Sequence, residues 1–363
     1  MRIEIREFNV MRALAILIVL CHHLPNFIIN YYNLNFIGIP LDLSFINDLN
    51  RYFGIGLFIF ITGQLAETHL SSANQYKDAS IFLLKRYIRI MPLYILAYLI
   101  FVALFRDTIE HLNLFSVFAH LIGWQVLLSS KYCDTVVTLW YVGLVISYYY
   151  VYAVILLYGP TTKRLAALCV SVMIIWVIVK ILAGFGDHRF MLYFPIFLAG
   201  VISARYAFLQ RINGKFTLWA LCLLIITASI YVLLVYPVTV LHIPSKPALI
   251  SYPSLFAFFL LNLIMLCFII NCYYVSKLFI NEKVYRIINI ISYASFCIYL
   301  FHRPIWHVIL QIYDPTDIAI KGLYLIIAGI PLMIFVSYYI QYGYDLTIGI
   351  KLKLKLLQIY EIK

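Results

Sequence analysis

The chain is built from repeated apolar runs, most of them about 20 residues long, which lets a helix cross the roughly 30 Å hydrocarbon core of a bilayer. Barrel strands alternate apolar and polar residues; these runs do not, so they predict membrane-spanning helices. The composition agrees, because 64% of the residues are hydrophobic and only 12% are charged, whereas a soluble domain is about one quarter charged. The sequence therefore predicts an all-α, polytopic membrane helix bundle that forms a single domain over residues 1–363.

The Lys and Arg residues indicate how these runs are oriented, because cytoplasmic loops of membrane proteins concentrate positive charge. The runs centre near residues 8–29, 53–68, 90–106, 112–130, 139–158, 165–185, 190–207, 216–236, 252–275, 287–310 and 319–343. If all of them crossed the membrane, the basic loop from Arg205 to Lys215 would lie outside, against this rule. The run 112–130 is the weakest, since Asn113, His120 and Gln125 interrupt it.

Placing the run 112–130 on the outer side, as a re-entrant or interfacial helix, restores the expected charge distribution. About ten transmembrane helices then remain, with both termini in the cytoplasm and every basic loop on the inner side. These basic segments are Lys77 to Arg89, Lys163-Arg164, Arg205 to Lys215, Lys277 to Arg286 and the tail from Lys351 to Lys355. The corresponding outer loops are 30–51, 107–138, 186–189, 237–251 and 311–318.

Charge, cysteine and histidine usage exclude several classes of function. The formal net charge is +12, but the basic residues lie in short loops between apolar runs, so we expect no nucleic-acid binding. The seven Cys form no CxxC pair, and all but Cys133 lie inside apolar runs, which is typical of packing residues. No metal-ligand spacing connects the His residues, so we expect no metal site. No small-x-small cleavage site follows His23, and the first run is therefore predicted to be a retained helix.

Two ionisable residues of the first run, Arg12 and His23, share one helix face. They are eleven residues apart, and at about 100° per residue the second side chain points within about 20° of the direction of the first. They lie about 16 Å apart along the axis, which places Arg12 near the cytoplasmic surface and His23 deep in the membrane. An ionisable residue inside a span is costly and indicates function by default. The alternative is that His22 and His23 form a pair near the outer interface that only bonds a neighbouring helix.

A second basic feature is the pair Arg86 and Arg89, which share a face at the cytoplasmic end of a predicted span because they are three residues apart. Two guanidinium groups side by side are suited to binding phosphates. An Arg pair at a membrane boundary is also a common topology anchor, and the pair by itself does not separate these two interpretations.

Five segments, taken in chain order, carry a resemblance to a known family. They are Asn9-Val10-Met11-Arg12-Ala13-Leu14-Ala15 with His23, Gly54 to Gly63, Arg86 and Arg89 with Pro92 and Tyr94, Leu139-Trp140-Tyr141-Val142, and Ile291-Ser292-Tyr293 with Tyr299-Leu300-Phe301-His302-Arg303-Pro304. In this order they resemble the acyltransferase-3 family of membrane acyltransferases, which contains the O-acetyltransferases of bacterial surface polysaccharides. The resemblance spans roughly residues 8 to 343 and implies a core of ten helices in the bacterial cytoplasmic (inner) membrane.

The resemblance implies transfer of an acyl group, commonly acetyl, from acetyl-CoA on the cytoplasmic side to a hydroxyl of a surface polysaccharide or its lipid-linked precursor. His23 is then the general base, a role suited to an imidazole whose pKa is near neutrality. Arg86 and Arg89 hold the phosphates of coenzyme A, and Arg12 steers the pantetheine end or the thioester oxygen. His302 orients the acceptor or relays a proton, unless it is only an interfacial His that packs a helix end. The remaining partner is membrane lipid.

The sequence departs from the family pattern at three positions: Asn9 and Gly56 stand where members often have Asp, and Val145 where many have Glu. These positions therefore supply no carboxylate partner for the histidine. Asp42 and Asp48 in the first outer loop are possible substitutes, although a solvated loop is the simpler interpretation.

Several alternatives stay open at the level of sequence. We expect direct acyl transfer, with an acyl-histidine intermediate as the alternative, and we assign Trp140 to packing in preference to stacking on a sugar ring. A transporter or flippase for a lipid-linked polysaccharide is the main rival class, and a membrane sensor or assembly subunit is a third. The acyl group, acetyl or succinyl, and the acceptor sugar are not identified by the sequence.

Overall fold

The structure is a computed structural model that describes residues 6–28, 35–36, 39–40, 44–67, 75–105, 113–129, 132–133, 135–158, 161–235, 252–278 and 281–349. Its helices are α1 (Arg6–His23), α2 (Pro25–Ile28), α3 (Ser44–Glu67), α4 (Gln75–Leu104), α5 (Leu114–Leu121), α6 (Gln125–Leu128), α7 (Trp140–Leu157), α8 (Thr162–Ala183), α9 (His188–Arg205), α10 (Gly214–Ile230), α11 (Tyr252–Lys277), α12 (Glu282–Ile312), α13 (Ile318–Tyr324) and α14 (Ile330–Tyr344). Short 3₁₀ turns lie at Val137–Leu139 and Phe208–Arg211, and π-helical turns at Tyr231–Val235, Leu325–Gly329 and Asp345–Gly349. Two strands of two residues, β1 (Asn35–Phe36) and β2 (Ile39–Pro40), pair antiparallel.

Eight helical stretches of the described residues are long and apolar enough to cross a membrane: Arg6–Ile28, Ala79–Leu104, Val137–Leu157, Lys163–Ala183, Gly214–Leu233, Phe256–Lys277, Glu282–Ile312 and Ile318–Thr347. The two remaining predicted spans coincide with α3 and α9, which are continuous helices of 24 and 18 residues. The prediction of an all-helical, multi-pass membrane protein is therefore confirmed. The count of about ten spans and the cytoplasmic placement of both termini stay predictions, and the terminal residues 1–5 and 350–363 lie outside the described residues.

The weak run 112–130 is divided into two short helices, α5 and α6. Asn113 begins α5 as its N-cap, because its side chain accepts a hydrogen bond of 2.7 Å from the backbone N–H of Ser116. Gly123 then takes a left-handed conformation with φ of +77° between the two helices. At 1.5 Å per residue, the eight residues of α5 extend for about 12 Å, which is too short to cross the hydrocarbon core.

The chain divides into two compact units, of which the first comprises Met1–Leu65 and Pro195–Phe335. In this unit α1 packs against α12 in parallel: the Arg6 guanidinium pairs with Glu282 at 2.6 Å where both helices begin. His23 lies 17 residues after Arg6 and meets Arg303, which lies 21 residues after Glu282, so the two contacts follow in the same order along both helices. Both helices therefore run in the same direction from one side, as the charge pattern of the sequence also requires.

The glycines of α3 allow it to pack closely on three other helices of the first unit. A Cβ at Gly54 would lie 2.8 Å from Val19 Cγ2 on α1, and one at Gly56 would lie 3.0 Å from Met265 Sδ on α11. Further along α3, a Cβ at Gly63 would overlap the backbone of α9. Small residues let helix backbones approach each other, which is how membrane helices gain van der Waals contact.

The second unit comprises Ala66–Phe194 and Val336–Lys363, and α7 is its most deeply buried helix. Two tyrosines of α7 donate hydrogen bonds of 2.8 Å: Tyr148 to the backbone oxygen of Phe190, and Tyr152 to Glu67 Oε2. Buried hydroxyls in an apolar surrounding need such partners, so these bonds fix the position of α7 along its axis.

We expect Gly200→Ala to destabilise the protein by about 1–3 kcal/mol, because the added Cβ would overlap the Phe60 carbonyl oxygen and lie 2.9 Å from the Gln64 nitrogen on α3. The control is Gly343→Ala, since a Cβ at that helical position meets nothing within 4 Å. The measurement is thermal unfolding of both purified variants in detergent. Equal midpoints for the two variants would show that α3 and α9 do not pack backbone to backbone.

Candidate active site

The candidate site lies in the first unit, where the last turn of α1 carries His22 and His23 and α12 carries His302 and Arg303. Asn281 starts α12 by accepting hydrogen bonds from two backbone N–H groups of the first turn, at 3.0 and 3.2 Å. The helix then continues for 31 residues. The two helices thus present imidazole and guanidinium groups to each other about two thirds of the way along α12.

His23 contacts two residues of α12 and its own neighbour on α1. Its Nδ1 atom lies 3.3 Å from Nη2 of Arg303. Its ring stacks on that of His302, with the two centroids 5.0 Å apart and the planes at 22°, and the His22 ring lies 4.6 Å away. As a whole residue, His23 is half-buried.

His302 is fully buried, with 0% of its surface exposed. Its Nδ1 atom lies 2.8 Å from the backbone oxygen of Tyr299, and the Trp306 ring meets it edge to face at 5.8 Å. Its other ring nitrogen, Nε2, has no hydrogen-bond partner among the described residues. Buried polar atoms are nearly always satisfied, so an unsatisfied one needs an explanation, and a catalytic role is one of those known.

The electrostatic surroundings of His23 are cationic. The guanidinium groups of Arg303 and Arg51 both act on the imidazole through their charges, together with the rings of His302 and His22. Such a site favours a group on which negative charge develops, for example the carbonyl oxygen of an ester or thioester under attack. It is thus suited to acid–base chemistry at a polarised carbonyl.

Arg12 lies apart from the histidines, about 16 Å back along α1. Its Nη1 atom donates to Asn9 Oδ1 at 3.4 Å, and Asn9 in turn bonds Asn289 Oδ1 at 3.1 Å and the Tyr285 hydroxyl at 3.2 Å. Asn9 thus links α1 to α12 through its amide, at the position where family members often have Asp. Arg12 belongs to this amide cluster, and the described contacts do not bring it to His23.

Arg86 and Arg89 lie on α4 in the second unit. The Arg86 guanidinium is half-buried and lies over the rings of Phe82 and Tyr149, 5.3 and 5.2 Å from their centroids. Arg89 is exposed, and the Tyr344 hydroxyl donates to the backbone oxygen of Ile88 beside it. Aromatic faces orient a guanidinium without neutralising it.

Trp140 is buried, with 8% of its surface exposed, and it stacks on Tyr193 at 6.2 Å between centroids. The Arg189 guanidinium lies 4.2 Å above its ring and binds both carboxylate oxygens of Asp187. These contacts favour the packing interpretation of Trp140, since little of its ring is left to stack on a sugar.

The sequence pattern did not identify three contributors to these sites: Arg51, Trp306 and the Asp187–Arg189 pair. The sequence pattern included Arg303 only as the residue that follows His302 in the late motif. Trp306 follows His302 by four residues on α12, so helical spacing could have identified this pair. Arg51 could not be found in this way, because it acts on His23 from another helix. Asp42 and Asp48 cannot be compared with the site, because their side chains lie outside the described residues.

Apolar helices long enough to span a membrane, with a cluster of histidines and an arginine between two of them, define a multi-pass membrane protein. The family model of the acyltransferase domain matches residues 5–342, nearly the whole chain. The chain therefore belongs to the acyltransferase-3 family and is a membrane acyltransferase, as the resemblance of its motifs indicated. A comparison with the curated proteins and one with the solved structures found no match.

We expect Asp187→Asn to lower the free energy of unfolding by about 3–5 kcal/mol at neutral pH, because it removes one partner of a buried ion pair. Burial raises the pKa of the Asp187 carboxyl, but hydrogen bonds and charge from Arg189 outweigh burial, so this pKa lies below its ordinary value of 3.8. The pair therefore stabilises the fold fully at pH values above the ordinary pKa of the carboxyl. This contribution is lost as the pH falls through the lowered pKa.

The measurement is unfolding of the purified variants in detergent at pH 7 and near pH 3. Asp187→Asn should lose less stability on acidification than the wild type. Asp314→Asn is the control, because Asp314 pairs with Lys321 at 2.7 Å but its side chain is 57% exposed; such a pair contributes about 0–1 kcal/mol. A similar loss in both variants would contradict the assignment of a stabilising buried pair.

Proposed function

We propose that this protein is an O-acyltransferase of the bacterial cytoplasmic membrane that moves an acetyl group from acetyl-CoA to a hydroxyl of a surface polysaccharide or its lipid-linked precursor. The observation that carries the proposal is the contact of His23 with both His302 and Arg303. Membership of the acyltransferase-3 family supports the reaction class. The donor, the acceptor and the acyl group are parts of the proposal.

The chemistry requires a base, because a neutral sugar hydroxyl is a poor nucleophile near neutral pH. An imidazole of the His23–His302 pair takes the hydroxyl proton as the oxygen attacks the thioester carbonyl. The carbonyl oxygen then becomes negative, and the charge of Arg303 stabilises it; one such donor is typically worth about 10²–10³ in rate. The carbon–sulfur bond breaks, and the coenzyme A thiolate receives the proton.

Arg86 and Arg89 are the proposed donor-binding residues. Coenzyme A carries phosphate groups, and guanidinium groups bind phosphate oxygens through two parallel hydrogen bonds. Arg86, held by two aromatic faces, supplies an oriented charge, and the exposed Arg89 supplies a second one on the same face of α4. Arg12, three turns from His23, is proposed to steer the donor through the amide cluster of Asn9.

We expect the purified protein to transfer acetyl from acetyl-CoA to a glycan acceptor. His23→Ala should lower kcat at least about 10²-fold, because it removes part of the acid–base pair. Arg86→Ala should instead raise the KM for acetyl-CoA about tenfold, because it removes one charge-assisted phosphate contact worth about 1.5–3 kcal/mol. Steady-state kinetics with acetyl-CoA as the varied substrate measure both kcat and KM.

Arg164→Ala is the matched control for the donor-site variant, because Arg164 is an exposed Arg at the start of another helix, α8. It should leave the KM unchanged. Normal export of polysaccharide by wild-type cells with no acylation of it, and no acetyl transfer by the purified protein, would favour the transporter class instead.

Transfer is proposed to be direct, from the thioester to the hydroxyl, without an acyl-enzyme. Rapid quenching of the protein with radiolabelled acetyl-CoA, in the absence of acceptor, should therefore leave no hydroxylamine-labile label on the chain. His23→Ala serves as the background control, because His23 is the residue that a two-step route would acylate. Label on an imidazole, located by mass spectrometry of peptides and absent from the control, would establish a two-step route instead.

A further inference from the structure

The hydrogen bonds of the two stacked imidazoles determine which nitrogen of each ring carries its proton. A neutral imidazole has one N–H donor and one lone-pair acceptor, and the partner of one nitrogen decides the role of the other. His23 and His302 each have one ring nitrogen with a defined partner. The two rings can therefore be assigned separately.

In His302, Nδ1 lies 2.8 Å from the carbonyl oxygen of Tyr299. A carbonyl oxygen only accepts, so Nδ1 must carry the proton and donate it. The lone pair of the neutral ring is then on Nε2. This atom is buried, belongs to a side chain with 0% exposure, and has no hydrogen-bond partner among the described residues.

In His23 the assignment is opposite. Its Nδ1 lies 3.3 Å from Nη2 of Arg303, and a guanidinium has donors only. Nδ1 must therefore accept, and the proton of the neutral ring is on Nε2. His23 thus offers an N–H donor at Nε2, and its basic nitrogen is already occupied by Arg303.

We propose that His302, and not His23, is the general base of the acyl transfer, and that His23 acts as a hydrogen-bond donor. This inference rests on the proposed function and assigns the proton within it. The acceptor hydroxyl loses its proton to His302 Nε2 as its oxygen forms a bond to the thioester carbon. His23 Nε2–H donates to the carbonyl oxygen that becomes negative. The carbon–sulfur bond then breaks, and His302 returns the proton to the thiolate sulfur.

The arrangement has a physical reason. A base whose lone pair was already bonded to a guanidinium would have to break that bond before it could accept a proton. His302 avoids this, because Tyr299 fixes its ring through Nδ1 and leaves Nε2 available. The two rings stack with their centroids 5.0 Å apart, so both imidazoles belong to one site.

The tautomers are measurable without any substrate. The full-length protein, labelled with ¹⁵N-histidine and reconstituted in lipid, should show one imidazole protonated at Nδ1 whose signals disappear in His302→Asn. A second, protonated at Nε2, should disappear in His23→Gln. The reverse pattern, with His302 protonated at Nε2 or His23 at Nδ1, would overturn the assignment whether or not the protein is an enzyme.

Kinetics of acetyl transfer supply the second test. His302→Asn keeps a donor near the position of Nδ1 but has no base, so kcat should fall about 10²–10⁴-fold, and the rise of kcat with pH through the imidazole range should disappear. His23→Gln keeps an N–H near the position of Nε2, so kcat should fall only about tenfold, against 10²–10³ for loss of a donor, and the pH dependence should stay. His307→Asn, five residues further along α12 and bonded to Gln311 at 3.0 Å, is the control and should leave both unchanged.

If His23→Gln loses the pH dependence and His302→Asn retains it, His23 is the base and this inference is wrong. If the wild type shows the expected tautomers but transfers no acyl group to any acceptor, the proposed function is wrong and the base role is wrong with it. The tautomer experiment is independent of activity, so these two failures are distinguishable.

Discussion

The parallel packing of α1 against α12 is the interaction on which the candidate site depends. It brings His23 to His302 and Arg303 at one level and Asn9 to Asn289 and Tyr285 at another. Hydrogen bonds between membrane helices contribute only about 0.6 kcal/mol each on average, so they do not supply most of the association energy. Their effect is to fix the register, because a shift of one residue along either helix would leave several buried polar groups without partners at once.

Close backbone packing supplies the affinity that these polar contacts do not. The glycines of α3 allow it to lie against α1 and α11, and the overlap predicted for a Cβ at Gly63 or Gly200 shows how near α3 and α9 approach. Lipid tails are as apolar as the side chains they replace, so contact area between helices, not removal of water, stabilises such a protein. The small residues therefore determine which helices become neighbours of α1, and they indirectly position its histidine.

Among the described residues, positively charged and imidazole side chains surround His23. The groups that act on His23 through charge are two guanidinium groups and two other imidazoles. Asn9, Gly56 and Val145 stand at positions where family members often have an acidic residue. The amide of Asn9 instead donates a hydrogen bond to Asn289 on α12. The two histidines are oriented by the backbone oxygen of Tyr299 and by the guanidinium of Arg303.

The sequence by itself determined the properties that depend on local hydropathy and on order along the chain. Run length predicted membrane helices, three polar residues and the distribution of basic loops indicated that 112–130 would not form one spanning helix, and ordered motifs identified the family. Tertiary structure alone decided that Arg12 belongs to an amide cluster away from His23, that Trp140 is covered by Tyr193 and Arg189, and that Arg303 occupies one nitrogen of His23. The physical reason is that hydropathy and helical period are set by neighbouring residues, whereas a bond between residues about 280 positions apart exists only once two particular helices have packed in one register.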